Sequence, residues 1–251
     1  MNKKIIASLL IFPLLTSCSG FPVSREDALL IIKNIEADLS YTGGISYTST
    51  SIRTTSDSEE KTISLYDKEK QYFHTYTITT TGQGNDQTGR VSESWKFVMP
   101  YTSKTASGED ITKDYIFDID RKILPSTVDE DIEKQYTVTY EIYSEESWSK
   151  AAKEYEDRLT RRFSDALEHS RLLINNENND VELKSFNEYS LYVHFKENDQ
   201  SQTLSNNEYE LNVSNAQLIS IKTVSGETKV ETKFEYESSE ISYPSFKVTI
   251  V

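Results

Sequence analysis

The 251-residue chain is poor in cysteine, in long apolar runs and in positive charge. Its single cysteine, Cys18, excludes an internal disulfide. The apolar run from Ile5 to Leu15 is shorter than the roughly 20 residues that a membrane-spanning helix needs. The 27 Lys and Arg residues face 41 Asp and Glu, and the resulting net charge of −14 repels phosphate polymers. Nucleic acid is therefore excluded from the expected partners.

The N-terminus has the features of a secretory signal. Lys3 and Lys4 precede the apolar run, and Leu15-Thr16-Ser17-Cys18 ends it. This ending resembles the lipobox of bacterial lipoproteins. The resemblance implies a signal peptide at 1–17, acylation of Cys18 by chains such as palmitate, and a short tether at 18–23. It also implies an extracytoplasmic protein whose acyl anchor holds it at a cell membrane. An unmodified secreted chain is the alternative.

Two helices are predicted from apolar periodicity. The first begins after Ser24, whose side chain caps it, and carries Ala28, Ile31, Ile32, Ile35 and Leu39 on one face up to Gly43-Gly44. The second runs from Glu145 to about Ile174 with one apolar stripe. Both end in polar or glycine-rich sequence.

Between and after these helices the apolar period changes to two, which predicts antiparallel strands. A shift of 94 residues superimposes the patterns of Trp95–Met99 on Tyr189–Val193, of Asp114–Ile119 on Glu208–Val213, and of Tyr136–Ile142 on Val230–Tyr236. We therefore expect an α+β fold in which two helices cover an antiparallel sheet. The sheet is expected to be half-barrel-like or to form two tandem helix-plus-meander units, at 24–143 and 144–251.

No motif for catalysis or metal binding was found. The histidines His74, His169 and His194 are dispersed, paired-cysteine and His-Glu-x-x-His patterns are absent, and no Gly-x-Ser-x-Gly elbow occurs. The sequence thus predicts a protein that is not an enzyme and that needs no cofactor and no metal.

Aromatic side chains recur at the strand positions predicted to face inward. They either line a cavity for an apolar ligand or form an ordinary core. Two arginines flank the apolar stripe of the second helix, where they would meet a headgroup or carboxylate or form surface ion pairs. The candidate ligand-binding residues are Trp95, Phe97, Tyr115, Phe117, Tyr140, Tyr189, Leu191, Phe234, Tyr236, Arg158 and Arg162.

The closing part of the chain resembles the LolA/LppX-like lipoprotein-carrier fold. The resemblance rests on Glu208–Val213, the glycine hairpin at Gly226, Phe234-Glu-Tyr and Ile241–Pro244. It implies a lipid or acyl chain held between a curved sheet and its helices. The leading hypothesis is a membrane-anchored lipoprotein that binds an apolar or lipid-like ligand. The alternative is a surface module that binds or inhibits a protein partner.

Overall fold

The computed structural model describes residues 20–38, 46–82, 88–105, 107–123, 136–197, 207–236, 241, 243 and 244. The predicted signal peptide, Cys18, Gly43-Gly44 and the loop at 83–87 lie outside this part of the chain. Two helices occur in the described residues, α1 (Arg25–Asp38) and α2 (Glu145–Asn175). The strands are β1 (Phe21–Pro22), β2 (Tyr47–Thr54), β3 (Ser58–Asp67), β4 (Tyr72–Thr81), β5 (Thr88–Lys104), β6 (Asp110–Ile123), β7 (Tyr136–Ile142), β8 (Val181–Ser185), β9 (Leu191–Lys196), β10 (Glu208–Ser214), β11 (Gln217–Ser225) and β12 (Thr228–Glu235).

All twelve strands belong to one antiparallel sheet, in the order β1-β8-β9-β10-β11-β12-β2-β3-β4-β5-β6-β7. The junction is the pairing of β12 with β2, which runs from Lys229↔Thr54 to Glu235↔Thr48. Because this ladder joins the C-terminal strands to the N-terminal ones, the prediction of tandem helix-plus-meander units is wrong. The fold is dominated by a single sheet.

The predicted α+β class, with two helices covering the sheet, is also wrong. A helix with its side chains is about 10 Å wide, whereas the 17 residues of β5 extend for roughly 58 Å at about 3.4 Å per residue. Two helices therefore cover only a strip across such long strands. Sequence periodicity located the helices but did not show how far the β5–β6 hairpin extends.

Both helices begin where their sequences predict. The Ser24 hydroxyl accepts the N–H of Asp27 at 3.1 Å, and the Ser144 hydroxyl accepts the N–H of Ser147 at the same distance. Each serine thereby satisfies one of the N–H groups that a helix leaves unpaired at its start. The predicted hairpin at Gly226 is confirmed, with Gly226 at φ 58° between β11 and β12.

The length of α2 follows from its place in the connectivity. It leaves β7 at one edge of the sheet and returns the chain to β8, ten strand positions away. That distance is about 48 Å at the usual strand spacing, and 31 helical residues extend for roughly 46 Å. The helix is therefore a crossover that spans the sheet on one face.

That face, which we call the helix face, carries the main core. Phe73 of β4 stacks on Tyr155 of α2 with ring centroids 3.7 Å apart, on Tyr66 at 4.8 Å and on Trp148 at 5.3 Å. Ile31, Ile32 and Ile35 of α1 join the same cluster. The register places alternate residues on the opposite face, which we call the open face.

The matched segments of the 94-residue pattern point to opposite faces. Leu191 and Leu211 belong to the helix-face core, whereas their counterparts Phe97 and Phe117 belong to a second cluster on the open face. The strand pairing also differs, because β7 pairs with β6 whereas β12 pairs with β11 and β2. The internal repeat stays a prediction.

Candidate functional site

A separate aromatic cluster occupies the open face of β4, β5 and β6. Tyr72, Phe97 and Phe117 are almost fully buried in it, beside Trp95 and Ile119. None of the cluster's described members lies on a helix. Tyr243, near the C-terminus, packs edge-on against Tyr72 and Phe97 with centroid distances of 5.4 and 5.1 Å. The open face therefore has a core of its own, and the chain's own C-terminal part contacts it.

A histidine and an ion pair lie beside Trp95 at one side of this cluster. The His74 ring lies parallel to the Trp95 ring at 5.1 Å, and the Arg121 guanidinium lies 5.8 Å from the ring centroid. Glu93 pairs with Arg121 and approaches His74 Nε2 at 3.6 Å. Burial lowers the pKa of His74, and the Glu93 carboxylate opposes this shift only in part. Burial therefore favours the neutral form of His74, whose ring stacks on Trp95.

Farther along the same strands the apolar surface becomes accessible. Four side chains there are substantially exposed, namely Met99, Ile111, Tyr140 and Ile142, of which Ile142 is 57% exposed. The rings of Tyr101 and Tyr115 are half-buried among them and meet edge-on at 6.1 Å. We call these six residues the distal patch. Contiguous apolar surface of this kind marks an interaction site more often than a scattered single residue does.

The distal patch borders an edge of the sheet. Among the described strands, β7 has β6 on one side and no strand on the other. Tyr143 donates its N–H to the Asp114 carbonyl at 2.9 Å, which makes these two residues a hydrogen-bonded pair. Hydrogen-bonded and non-hydrogen-bonded pairs alternate in an antiparallel ladder. Val138, Tyr140 and Ile142 therefore present their N–H and C=O groups outward.

On the helix face, the same edge is acidic. Glu141 and Asp120 are exposed on β7 and β6, and Asp118 lies between them and accepts from Lys96 Nζ at 2.7 Å. Burial by itself lowers the pKa of Lys96, but the hydrogen bond and charge of Asp118 outweigh it and raise the pKa. An open cleft of about 210 Å³, lined by Lys96, Asp118, Thr139 and Glu141 among others, runs beside β7.

The structure does not bring the predicted ligand residues to one surface. Five of them lie on the open face. Trp95, Phe97 and Phe117 are buried in the cluster there, whereas Tyr115 is half-buried and Tyr140 is exposed. Leu191 and Phe234 are buried in the helix-face core. Tyr236 packs against that core, and its hydroxyl donates to the Leu218 carbonyl at 2.8 Å. Tyr189 lies in the turn between β8 and β9.

The two predicted arginines lie on the exposed side of α2. Arg158 pairs with Glu154 at 2.9 Å and covers the Tyr155 ring at 4.9 Å. Arg162 is exposed, and together with Arg158 its charge partly offsets the effect of burial, which raises the pKa of Tyr47. Arg158 therefore forms the surface ion pair that the sequence allowed.

The predicted cavity between sheet and helices has no counterpart among the four clefts described. The stacked rings around Phe73 fill that space, and all four clefts open elsewhere. The largest, of about 540 Å³, lies over Tyr192, Asn212 and Lys233 and is lined mostly by polar side chains. An apolar or lipid-like ligand stays a prediction, and the geometry gives it no enclosed site among these clefts.

No protein-family model matches the chain, and no curated protein sequence matches it significantly. Within the described residues no cluster of three metal-ligating side chains occurs. Neither described helix is long and apolar enough to cross a membrane. The candidate site is therefore defined by its geometry alone, as the distal patch and the β7 edge.

Sequence reasoning missed most of this site. Tyr115 and Tyr140 were among the predicted residues, but Met99, Ile111 and Ile142 were not predicted to be exposed. The signal available was the alternation of Tyr136 to Ile142, which predicts a strand. Alternation does not show whether a strand is central or at an edge, and among the described strands β7 has a neighbour on one side only.

Proposed function

We propose that this protein is a membrane-anchored, extracytoplasmic binding protein that captures a protein partner at the β7 edge. It acts without catalysis. The partner contributes an extended segment that adds as a strand beside β7. The observation that carries the proposal is the coincidence of outward-facing backbone groups at Val138, Tyr140 and Ile142 with an accessible apolar patch that includes Tyr140 and Ile142.

The residue types expected in the partner's segment follow from the side chains on the two faces of β7. On the open face the added strand contacts Tyr140 and Ile142, which favours apolar side chains at every second position. On the helix face it passes Glu141 of β7, with Asp120 one strand farther in on β6, and these two carboxylates favour lysine or arginine at the intervening positions. The net charge of −14 favours the approach of such a basic segment.

The position of the site supports a protein partner over a bilayer lipid. The predicted anchor precedes β1, and β7 lies eleven strand positions from β1. Measured along the sheet, this is about 50 Å at about 4.8 Å per strand. The distal patch is thus remote from the point of attachment, where a partner in the surrounding space has access to it.

Site-specific photocrosslinking tests the proposal. Benzoylphenylalanine replaces Ile142, which is 57% exposed, and in a control it replaces Phe186, which is 59% exposed at the other end of the sheet. The expected result in the cells that make the protein is a crosslink from position 142 to one partner segment. Mass spectrometry of that crosslink should show apolar and basic residues in alternation.

Val138→Pro separates strand addition from simple apolar contact, because it removes an outward N–H and leaves the distal patch intact. Strand addition predicts that the crosslink is lost in this variant. A crosslink that persists in Val138→Pro, an acidic captured segment, or a lipid adduct at position 142 would each contradict the proposal.

A further inference from the structure

The opposite end of the sheet carries a second apolar surface. Phe21 of β1 is 73% exposed, and Phe186, which follows β8, is 59% exposed. Phe21 pairs in register with Ser185, so the two phenylalanines lie at one corner of the sheet. Tyr189 is also exposed and lies in the same β8–β9 turn.

Helix α1 contributes a fourth residue to this corner. Asn34 reaches the Glu188 carbonyl in the β8–β9 turn at 3.5 Å. Leu30 is four residues earlier, on the same side of the helix, and is 57% exposed. We call Phe21, Leu30, Phe186 and Tyr189 the corner patch.

The segment that joins Cys18 to this corner is very short. A Cβ on Gly20 would lie 3.2 Å from Lys184 Cβ and from the Ser185 backbone, so Gly20 is packed against β8. Val23 donates its N–H to the Leu183 carbonyl at 3.1 Å. Most of the stretch predicted as a tether therefore lies along the sheet edge. Only Ser19 separates Gly20 from Cys18, and two residues reach about 7 Å.

We propose that the corner patch inserts into the bilayer interface and orients the protein on the membrane. The occupant is the lipid surface, because the chain length keeps the backbone of an acylated Cys18, from which the acyl chains enter the bilayer, within about 7 Å of Gly20. Phenylalanine and leucine side chains enter the acyl boundary, and tyrosine suits the headgroup level. The inference rests on the predicted acylation of Cys18 and is independent of partner binding at the β7 edge.

Spin labelling of the full-length lipoprotein in phosphatidylcholine vesicles tests this inference. Acylation consumes the thiol of Cys18, the only cysteine, so an introduced cysteine is the sole labelling position. Phe186→Cys carries the nitroxide in one sample, and Ile142→Cys, with a nearly equal exposed fraction, carries it in the control. The ratio of collisions with oxygen to collisions with a water-soluble nickel chelate reports whether the label contacts lipid.

The expected result is a ratio several-fold higher at position 186 than at position 142. Equal ratios at the two positions would overturn the inference. The intact mass of each sample is measured first, because a chain without acyl groups would remove the anchor and refute the inference directly. Neither result changes the expected crosslinking at position 142, so failure here and failure of the proposed partner binding are distinguishable.

Discussion

Two adjacent proline substitutions in β7 test the edge geometry on which partner binding depends. Val138 presents its N–H outward, whereas Thr139 stands opposite Asp118 as a hydrogen-bonded pair. Val138→Pro therefore removes no ladder hydrogen bond, and proline is tolerated at an edge strand when its nitrogen faces solvent. Thr139→Pro removes the N–H that the Asp118 carbonyl accepts.

The expected magnitudes differ because of this alternation. Thr139→Pro loses a hydrogen bond worth about 1 kcal/mol and leaves a carbonyl unsatisfied at a further cost of about 1–3 kcal/mol. Val138→Pro is expected to cost about 1 kcal/mol or less, since only local backbone strain is added. The difference of about 2 kcal/mol corresponds to roughly 4–8 °C in melting temperature for a chain of this size.

Thermal unfolding followed by circular dichroism measures the difference, with the unsubstituted chain as reference. If burial alone decided the loss of stability, Val138→Pro would have the lower melting temperature, because Val138 is half-buried against the aromatic cluster and Thr139 is exposed. A Val138→Pro melting temperature at or below that of Thr139→Pro would refute the assigned edge and, with it, the outward backbone groups of the proposed site.

Two further predictions concern the core and the stacked histidine. Phe163 of α2 is 1% exposed, and Phe163→Ala is expected to lower the free energy of unfolding, measured by urea titration, by about 3–5 kcal/mol. Leu172→Ala, on the exposed side of the same helix, is expected to change it by about 0.5 kcal/mol or less. Similar losses in both variants would mean that α2 is not packed on the sheet. His74, which faces Glu93 and Arg121, has a pKa lowered by burial, so its contribution to stability is complete above its ordinary pKa of about 6.5 and is lost as the pH falls toward the lowered value. In urea unfolding at a series of pH values, His74→Gln is expected to reduce the slope of unfolding free energy against pH below pH of about 6.5. Burial also lowers the pKa of His169, so this residue accounts for part of the slope that remains. A slope equal to that of the unsubstituted chain would contradict the assigned burial of His74.

Local structure was predictable because its causes are local. Ser24 and Ser144 cap helices through contacts with residues three positions away, and the apolar stripes of both helices recur at helical spacing. The hairpin at Gly226 follows from one glycine between two alternating segments. Each of these features depends on a few neighbouring residues, so the sequence pattern contains the information.

Sheet order depends instead on pairings between distant residues. The ladder between β12 and β2 joins Thr232 to Ser51, and nothing in either segment's alternation distinguishes this partner from another strand. The prediction of two modules followed from assuming that strands near in sequence pair only with one another. Without the β12–β2 ladder the single sheet does not follow.

The predicted ligand residues fall on two faces of the sheet for a related reason. A period of two tells which residues of one strand share a face, but not which face the helices cover. Tyr140 and Phe234 occupy equivalent places in the 94-residue pattern, and each is aromatic. Phe234 is buried beneath the helices, whereas Tyr140 lies on the open face and is 41% exposed. The same alternation thus produces core in one half of the sheet and accessible aromatic surface in the other, and the difference arises because the crossover helix α2 passes over only one face.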